Sequence, residues 1–238
     1  MNVFHWLEHS AHVPWVISSS LFAAALVMIA GMQVRRAIAN GGGVLPDEGL
    51  SVRNVVEVLV EFLADLGETT MGHEARRYFP IVGTIFFFVL VSNLMGLVPG
   101  LAGATSDANV TWAWGVISFL VYNYVGIKTH GWKYIYQFMG PSLWNPTIGG
   151  KHYHVRLLAP VFLILEIPLH IARSATHGIR LLANRYADHA VVLVWLGLVP
   201  VVVPAIFMGL GLLVCFLQAF VFSLLTMIYI GQALEEAH

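Results

Sequence analysis

Apolar runs of about twenty residues recur along this chain, and in a protein of 238 residues they leave few folds open. The hydrocarbon core of a bilayer is ~30 Å thick and takes ~20 apolar residues of helix to cross. Inside it every backbone N–H and C=O must be satisfied by the segment itself, so such runs fold as helices. Residues 14–34 (PWVISSSLFAAALVMIAGMQV) fit one crossing and stop at Arg35 and Arg36. Residues 80–98 (PIVGTIFFFVLVSNLMGLV) fit a second, closed by Pro99 and Gly100, and residues 111–127 (TWAWGVISFLVYNYVGI) a third, closed by Lys128. Composition agrees: 11% of residues are charged, where soluble domains carry about 25%, and mean hydropathy is +0.77.

Other segments fill in the architecture. After the first span comes ANGGGVLPDEG, rich in Gly and Pro breakers. Residues 51–66 (SVRNVVEVLVEFLADL) then place Val55, Val58, Leu59 and Phe62 on one helical face and Glu57, Glu61 and Asp65 on the other. This segment is too charged to span and reads as an amphipathic helix on the membrane surface. Residues 128–155 read as a long cytoplasmic loop with no second domain. Two long helical regions follow, 156–187 and 189–233. At 1.5 Å per residue they measure ~48 and ~67 Å, too long to stand upright in the slab. Excess length is taken up by tilt, and a kink is expected near Pro200 and Pro204. The expected fold class is therefore all-α: one polytopic membrane domain over 1–238. It has about three near-upright spans, one amphipathic surface helix and a hairpin of two long tilted helices.

Lys and Arg set the orientation. Nine of the twelve (Arg35, Arg36, Arg53, Arg76, Arg77, Lys128, Lys133, Lys151, Arg156) lie in the two segments that follow spans one and three. Alternating spans put both segments on one side, and the positive-inside rule makes that side the cytoplasm. The N-terminus is then outside and the C-terminus cytoplasmic, in a bacterial inner membrane. Residues 1–13 lack the positive start and small-residue cleavage site of a signal peptide and read as a short outer tail. A net charge of −1 gives no reason to expect a nucleic-acid partner. The single Cys215, in an apolar run, excludes a disulfide framework and reads as a small packed hydrophobe.

The most informative pattern lies in the fourth helical region. Glu166, His170, Arg173, His177, Arg180, Asn184 and Asp188 follow at steps of 4, 3, 4, 3, 4 and 4. At about 100° per residue they stay within ~40° of one line along a helix. The rest of the surface is almost wholly apolar. An ionisable group at mid-membrane costs at least ~2.5–3.5 kcal/mol on insertion scales, so this stripe must face water, another protein, or both. A plain hydrogen-bonded seam between helices is the simpler alternative, but it does not need two arginines with only two carboxylates beside them. Individually, Arg173 reads equally well as a snorkelling anchor, and His177 as a polar filler as easily as a relay. Arg185, ~100° off the stripe, reads as an anchor to lipid or to a partner. Glu166 and His170, at i and i+4, lack a third ligand at good spacing for a metal. No cofactor motif is present. In the last region the strong polar side chain is Gln218, usually a clasp between helices. With the turn near residue 189, it meets the stripe on the cytoplasmic side of that turn, with Arg180 among its candidate partners.

These residues resemble a known family. Gly178-Ile179-Arg180-Leu181-Leu182-Ala183-Asn184-Arg185-Tyr186-Ala187 is similar to the G-L-R-L-x-x-N-x-x-A signature of subunit a of F-type ATP synthases. Leu217-Gln218-Ala219-Phe220-Val221-Phe222, through Leu225-Thr226-Met227-Ile228-Tyr229, resembles the L-Q-A-F-I-F…L-T-x-x-Y of its last helix. Asn93-Leu94-Met95-Gly96-Leu97-Val98-Pro99 resembles its N-L-x-x-L-x-P. The likeness covers 80–238 well and the first span weakly. It implies a stator subunit with two offset aqueous half-channels to the carboxylates of a c-subunit ring. Arg180 would be the essential ion-transfer arginine between them, with Gln218 as its partner. Asn184, Asp188 and His189 would line the outer path, Glu166, His170 and His177 the inner one, with Asn93 also on the proton pathway. The implied partners are the c ring, the b subunits of the peripheral stalk, the remainder of the synthase and membrane lipid. Such a subunit is no enzyme by itself but part of the rotary complex.

The chain departs from that pattern in places. The family often carries a carboxylate where His189 stands, an ionisable residue where Gly211 stands and an Asp where Gly96 stands. The side-by-side Asp188 and His189 suggest a relay that has moved. A self-contained transporter is the competing class, and the lack of internal repeats and of Gly/Pro-broken midplane helices counts against it. A membrane enzyme comes third, since no credible Ser/His pair or metal set is present.

Overall fold

The computed structural model describes residues 14–39, 51–98, 100–134, 147–148, 151–152, 159–198 and 202–234. Residues 1–13, the Gly/Pro-rich link and most of the 128–155 segment lie outside these. The described residues form six α-helices: α1 (Trp15–Ala39), α2 (Val52–Met71), α3 (Ala75–Leu97), α4 (Ala108–His130), α5 (Ala159–Leu198) and α6 (Val202–Leu234). The fold is helical, as expected. Among the described residues the one extended feature is a two-residue antiparallel pairing of Thr147–Ile148 with Lys151–His152 in the α4–α5 connection. Four stretches are long and apolar enough to cross a membrane: Trp15–Ile38, Arg53–Leu97, Ala108–His130 and Ile206–Leu234. Helix α5 is not among them, because its polar stripe interrupts every long apolar window.

The helices begin or end a few residues beyond the apolar runs, since polar residues such as Thr70 and Arg76 continue a helix into the interface. Helix α2 shows it most clearly. It runs five residues past Asp65–Leu66 to Met71 and is capped at Gly72, whose positive φ of 62° suits glycine and whose N–H bonds the Glu68 carbonyl. A single 3₁₀ turn, Gly72–Glu74, then feeds α3. Nor does α2 rest on a surface alone. Leu63 is fully buried, Phe62 meets Phe220 of α6 at 5.5 Å between ring centres, and Gly231 of α6 lets the Thr70 carbonyl approach closely. Its Val55 and Val58 stay uncovered.

The larger correction concerns the hairpin. The fourth region does not turn at 188–189. Helix α5 continues through AVVLVWLGL to Leu198, and the connection falls at 199–201. The pair Asp188-His189 is polar but contains no breaker. Pro200 is a breaker, and it disfavours helical backbone at the residue before it. Pro204 lies in the first turn of α6, where proline is tolerated. No interior kink need be assigned to either proline. Trp195 and Phe207 stack across the connection, 5.8 Å apart and 16° from parallel.

The core is shared by α2, α3, α4, α5 and α6, around Leu63, Phe86, Val125, Leu181 and Phe222. A second cluster seats α1 against α3 through Ala23, Phe88 and Ala104. Helices α4 and α5 meet through small residues. Ser174 donates to the Gly115 carbonyl at 2.9 Å, and a β-carbon at Gly178 would stand 3.1 Å from the Thr111 carbonyl. With no hydrophobic drive between helices in lipid, close backbone approach of this kind supplies the packing.

Candidate functional site

The packed face of α5 is set by Ser174, His177, Gly178, Leu181 and Arg185, all buried or nearly so. The polar stripe runs along one flank of that face and not down its middle. His177 is 3% exposed and points inward, whereas Arg180, ~60° away on the wheel from His177, is exposed. Arg180 forms no hydrogen bond or ion pair among the described residues. It stands beside exposed Ile179, and α6 turns exposed Leu210, Leu213 and Leu217 outward.

One helical turn on, Asn184 Nδ2 donates to Gln218 Oε1 of α6 in a short hydrogen bond. Gln218 is thus paired with Asn184 in this structure, and the Arg180 pairing is not formed. The relocated turn explains why: both residues are seventeen positions from residue 201, so an antiparallel hairpin sets them level. Gln218 Nε2 and Ser223 Oγ are buried without a protein partner.

Towards the hairpin connection a cavity of about 340 Å³ opens, walled by Trp15, Gly96, Leu97, Ser106, Arg185, Asp188 and His189 among others. Asp188 and His189 line this one space, whereas Asn184 is not among its walls. Arg185 overturns its expected role as a lipid or partner anchor, being only 3% exposed. Its Nη1 lies 3.7 Å from Asp188 Oδ2 and donates to Cys215 Sγ at 3.6 Å. A helical wheel gives angles within α5 but not the direction of its neighbours, so nothing in the sequence marked this arginine as the buried one. Asn93 is 1% exposed and accepts from Thr105 Oγ1 at 2.7 Å, tying α3 to the 3₁₀ turn Ala104–Ser106.

At the far end of the hairpin the stripe meets aromatic rings. Arg173 pairs with Glu166 at 3.8 Å, donates to Gln232 Oε1 at 3.3 Å and lies 5.5 Å from the centre of the Tyr229 ring. His170 stands edge-on to Tyr122, with centres 4.9 Å apart. His177 donates from Nδ1 to the Arg173 carbonyl and abuts Phe222 and Tyr229. Beside them Ser118 and Thr226 share a hydrogen bond of 3.0 Å across α4 and α6. Tyr122, Ser118 and Ser174 carried no signal in the sequence, since one polar atom among apolar neighbours does not stand out.

Against known proteins, residues 15–231 match the family described as ATP synthase A chain. The chain is 38% identical over 210 residues to the ATP synthase subunit a of Bdellovibrio bacteriovorus, covering 87% of this chain and 86% of that one. It is 38% identical over 232 residues to ATP synthase subunit a 1 of Syntrophotalea carbinolica, covering 98% and 90%. To the subunit a of Geobacter sulfurreducens it is 42% identical over 187 residues, covering 79% and 76%. The chain belongs to the ATP synthase subunit a family. It is a multi-pass membrane protein.

Set on the subunit a pattern, two of the three departures, Gly96 and Gly211, lie against side chains of other helices. At position 96, where the family often has Asp, a β-carbon would overlap the Arg185 guanidinium, with Cζ at 2.8 Å. At position 211, where the family often has an ionisable group, a β-carbon would press on Leu97 Cδ1 at 2.9 Å. Both glycines are therefore matched to neighbours that fill the space.

Proposed function

We propose that this chain is the proton-conducting stator of an F-type ATP synthase, in which Arg180 separates two half-channels that serve the carboxylates of a rotating c ring. The observation that carries the reading is Arg180 itself: an exposed guanidinium with no partner among the described residues, on a helix whose other flank is packed into an apolar core. A permanent charge presented to lipid would be costly. Presented to a ring of carboxylates, it has a counter-charge at every step. Arginine stays protonated at any reachable pH, so it can discharge a rotor carboxylate's proton without taking that proton up.

Two polar groups of residues lie on either side of it. The cavity with Asp188 and His189 serves as the outer half-channel, ~12 Å along α5 from Arg180 at 1.5 Å per residue. The Glu166, His170 and His177 group serves as the cytoplasmic one, with Glu166 ~21 Å from Arg180 on the same measure. Asn184 and Gln218 hold α5 and α6 in register beside the arginine, and Asn93 ties α3 to the 3₁₀ turn whose Ser106 lines the cavity. Arg35, Arg36, Arg76, Arg77 and Lys128 mark the cytoplasmic side, which puts the hairpin connection outside. At 40 residues α5 is about 60 Å long, so it and α6 lie steeply inclined. The exposed faces of α5 and α6 meet the c ring; the b subunits and the rest of the synthase complete the stator and the catalytic head.

Proton flux into vesicles carrying the assembled complex tests this, with and without ATP and under an imposed potential. Arg180→Lys abolishes ATP-driven pumping and proton-driven synthesis alike, while the detached head still hydrolyses ATP. Arg180→Ala also permits passive leak. Coupled pumping near the wild-type rate in Arg180→Ala vesicles would overturn the reading and reopen that of a self-contained transporter.

A further inference from the structure

The buried Arg185 is not used by the reading above, and its surroundings resemble a built site. Four buried polar atoms at the cavity have no protein hydrogen-bond partner: Nε and Nη2 of Arg185, Oδ2 of Asp188 and Oγ of Ser106. A guanidinium has five N–H donors in a rigid fork. Here one end is engaged, with Nη1 between Asp188 and Cys215. Burying an ion pair costs more in desolvation than a packed apolar pair, so stability alone does not account for one. A packing role would also be served by any long side chain, yet Gly96 leaves room for the planar group itself.

We propose that Arg185 is a positioning residue for proton uptake at the outer cavity: its guanidinium lies against Gly96 with Nη1 beside Asp188, and it holds that carboxylate at the cavity wall where the proton arrives. Arg185 does not carry the proton, because a guanidinium does not give one up in a protein. The proton passes to a carboxylate oxygen of Asp188 and onward towards the ring, and the arginine's N–H donors set where that oxygen stands. Gly96 belongs to the same device, since a methyl group there would displace the guanidinium. The inference rests on the stator reading and adds a residue outside the family motif as quoted above. Around the pair the other titratable groups are His189 on α5 and Cys215 on α6. Helices α1 and α3 and the 3₁₀ turn present Trp15, Gly96 and Ser106, none of which titrates.

Chemical rescue in vesicles bearing the whole synthase is the test. Arg185→Ala lowers ATP synthesis driven by an imposed potential by at least about tenfold, in line with the loss of a positioned proton-transfer partner. Guanidinium ion added on the cavity side then raises the residual rate several-fold, because the truncated side chain enlarges a cavity already open to it. Sodium at equal ionic strength restores nothing, and guanidinium fails to rescue Arg185→Ala combined with Asp188→Asn. Arg185→Lys, which keeps the charge and loses the fork, falls between wild type and Arg185→Ala. Gly96→Ala is the milder second variant: it slows synthesis in the wild-type background and not in Arg185→Ala. Amounts of c subunit recovered with each variant normalise for assembly. Equal rescue by sodium, rescue that survives Asp188→Asn, or a Gly96→Ala effect independent of Arg185 overturns the proposal. Such failures leave the Arg180 result untouched, whereas pumping by Arg180→Ala would strike the stator reading itself.

Discussion

At the hairpin end of α5 and α6, polar groups surround an open space; at the far end, rings close over them. Arg185, Asp188 and Ser106 line a cavity of about 340 Å³, and each has a buried polar atom without a hydrogen-bond partner. His170 and His177, by contrast, are walled by Phe119, Tyr122, Phe222 and Tyr229, with ring centres 4.9 to 5.7 Å away. Both ends draw on one stripe with one spacing. Their neighbours differ: Gly96, Leu97, Gly100, Leu101, Ala102 and Ser106 supply non-aromatic walls at the first end, while α4 and α6 supply aromatics at the second. The difference teaches that periodicity assigns residues to a face but not to an environment. On the proposed reading, a path along this stripe meets an open cavity at the hairpin end and packed rings at the other.

The sharpest way to break this contrast is accessibility. In a Cys215→Ala background, cysteine at Asp188 reacts with a membrane-impermeant thiol reagent added on the outer side at least about tenfold faster than cysteine at His177, because reactivity follows exposure. Equal rates, or reaction from the cytoplasmic side alone, would mean that the two ends are not distinct or that the topology is inverted. A smaller effect is expected at the far end. Glu166→Gln slows proton flux several-fold without abolishing it, since His170 lies one turn away and Arg173 loses only a 3.8 Å partner. Flux unchanged at every pH would leave Glu166 a purely structural counter-ion to Arg173. The least effect belongs to the seam beside the rings. Ser118→Ala removes the hydrogen bond to Thr226 and lowers stability by about 0.6 kcal/mol, the average for such bonds between membrane helices. The measurement is detergent or thermal unfolding of the purified complex, and a loss of flux without a loss of stability would instead place Ser118 on the path.

How much of this was legible beforehand follows from what each signal measures. The spans were readable because lipid imposes a length on apolar runs, and α1, α3 and α4 appear where those runs lie. The stripe was readable because a 3.6-residue period needs no tertiary information. The hairpin connection differs from the sequence reading because Asp188 and His189 are polar yet contain no helix breaker, so the helix runs on to Leu198. Arg185 was misread for a related reason: which side of α5 is covered depends on α3, α4 and α6, and that is not written in α5. Gly96 and Gly211 looked like losses from the family pattern. In the structure each is the complement of a bulky neighbour, Arg185 and Leu97, on another helix.

The small-residue seam between α4 and α5 has a mechanical side. At Gly115 and Gly178 the two backbones touch with almost no side chain between them. Such a contact is stiff, because there are no rotamers to yield when one helix is pushed sideways along the other. Arg180 is two residues from Gly178, on the opposite flank. On the proposed stator reading, a rotor that drags on that charge pulls against a clamped helix, and the slack in the coupling is confined to the arginine's own side chain. Enlarging Gly178 would insert a spring at the point where torque is reacted, and slippage under load would register it before any loss of unloaded conductance.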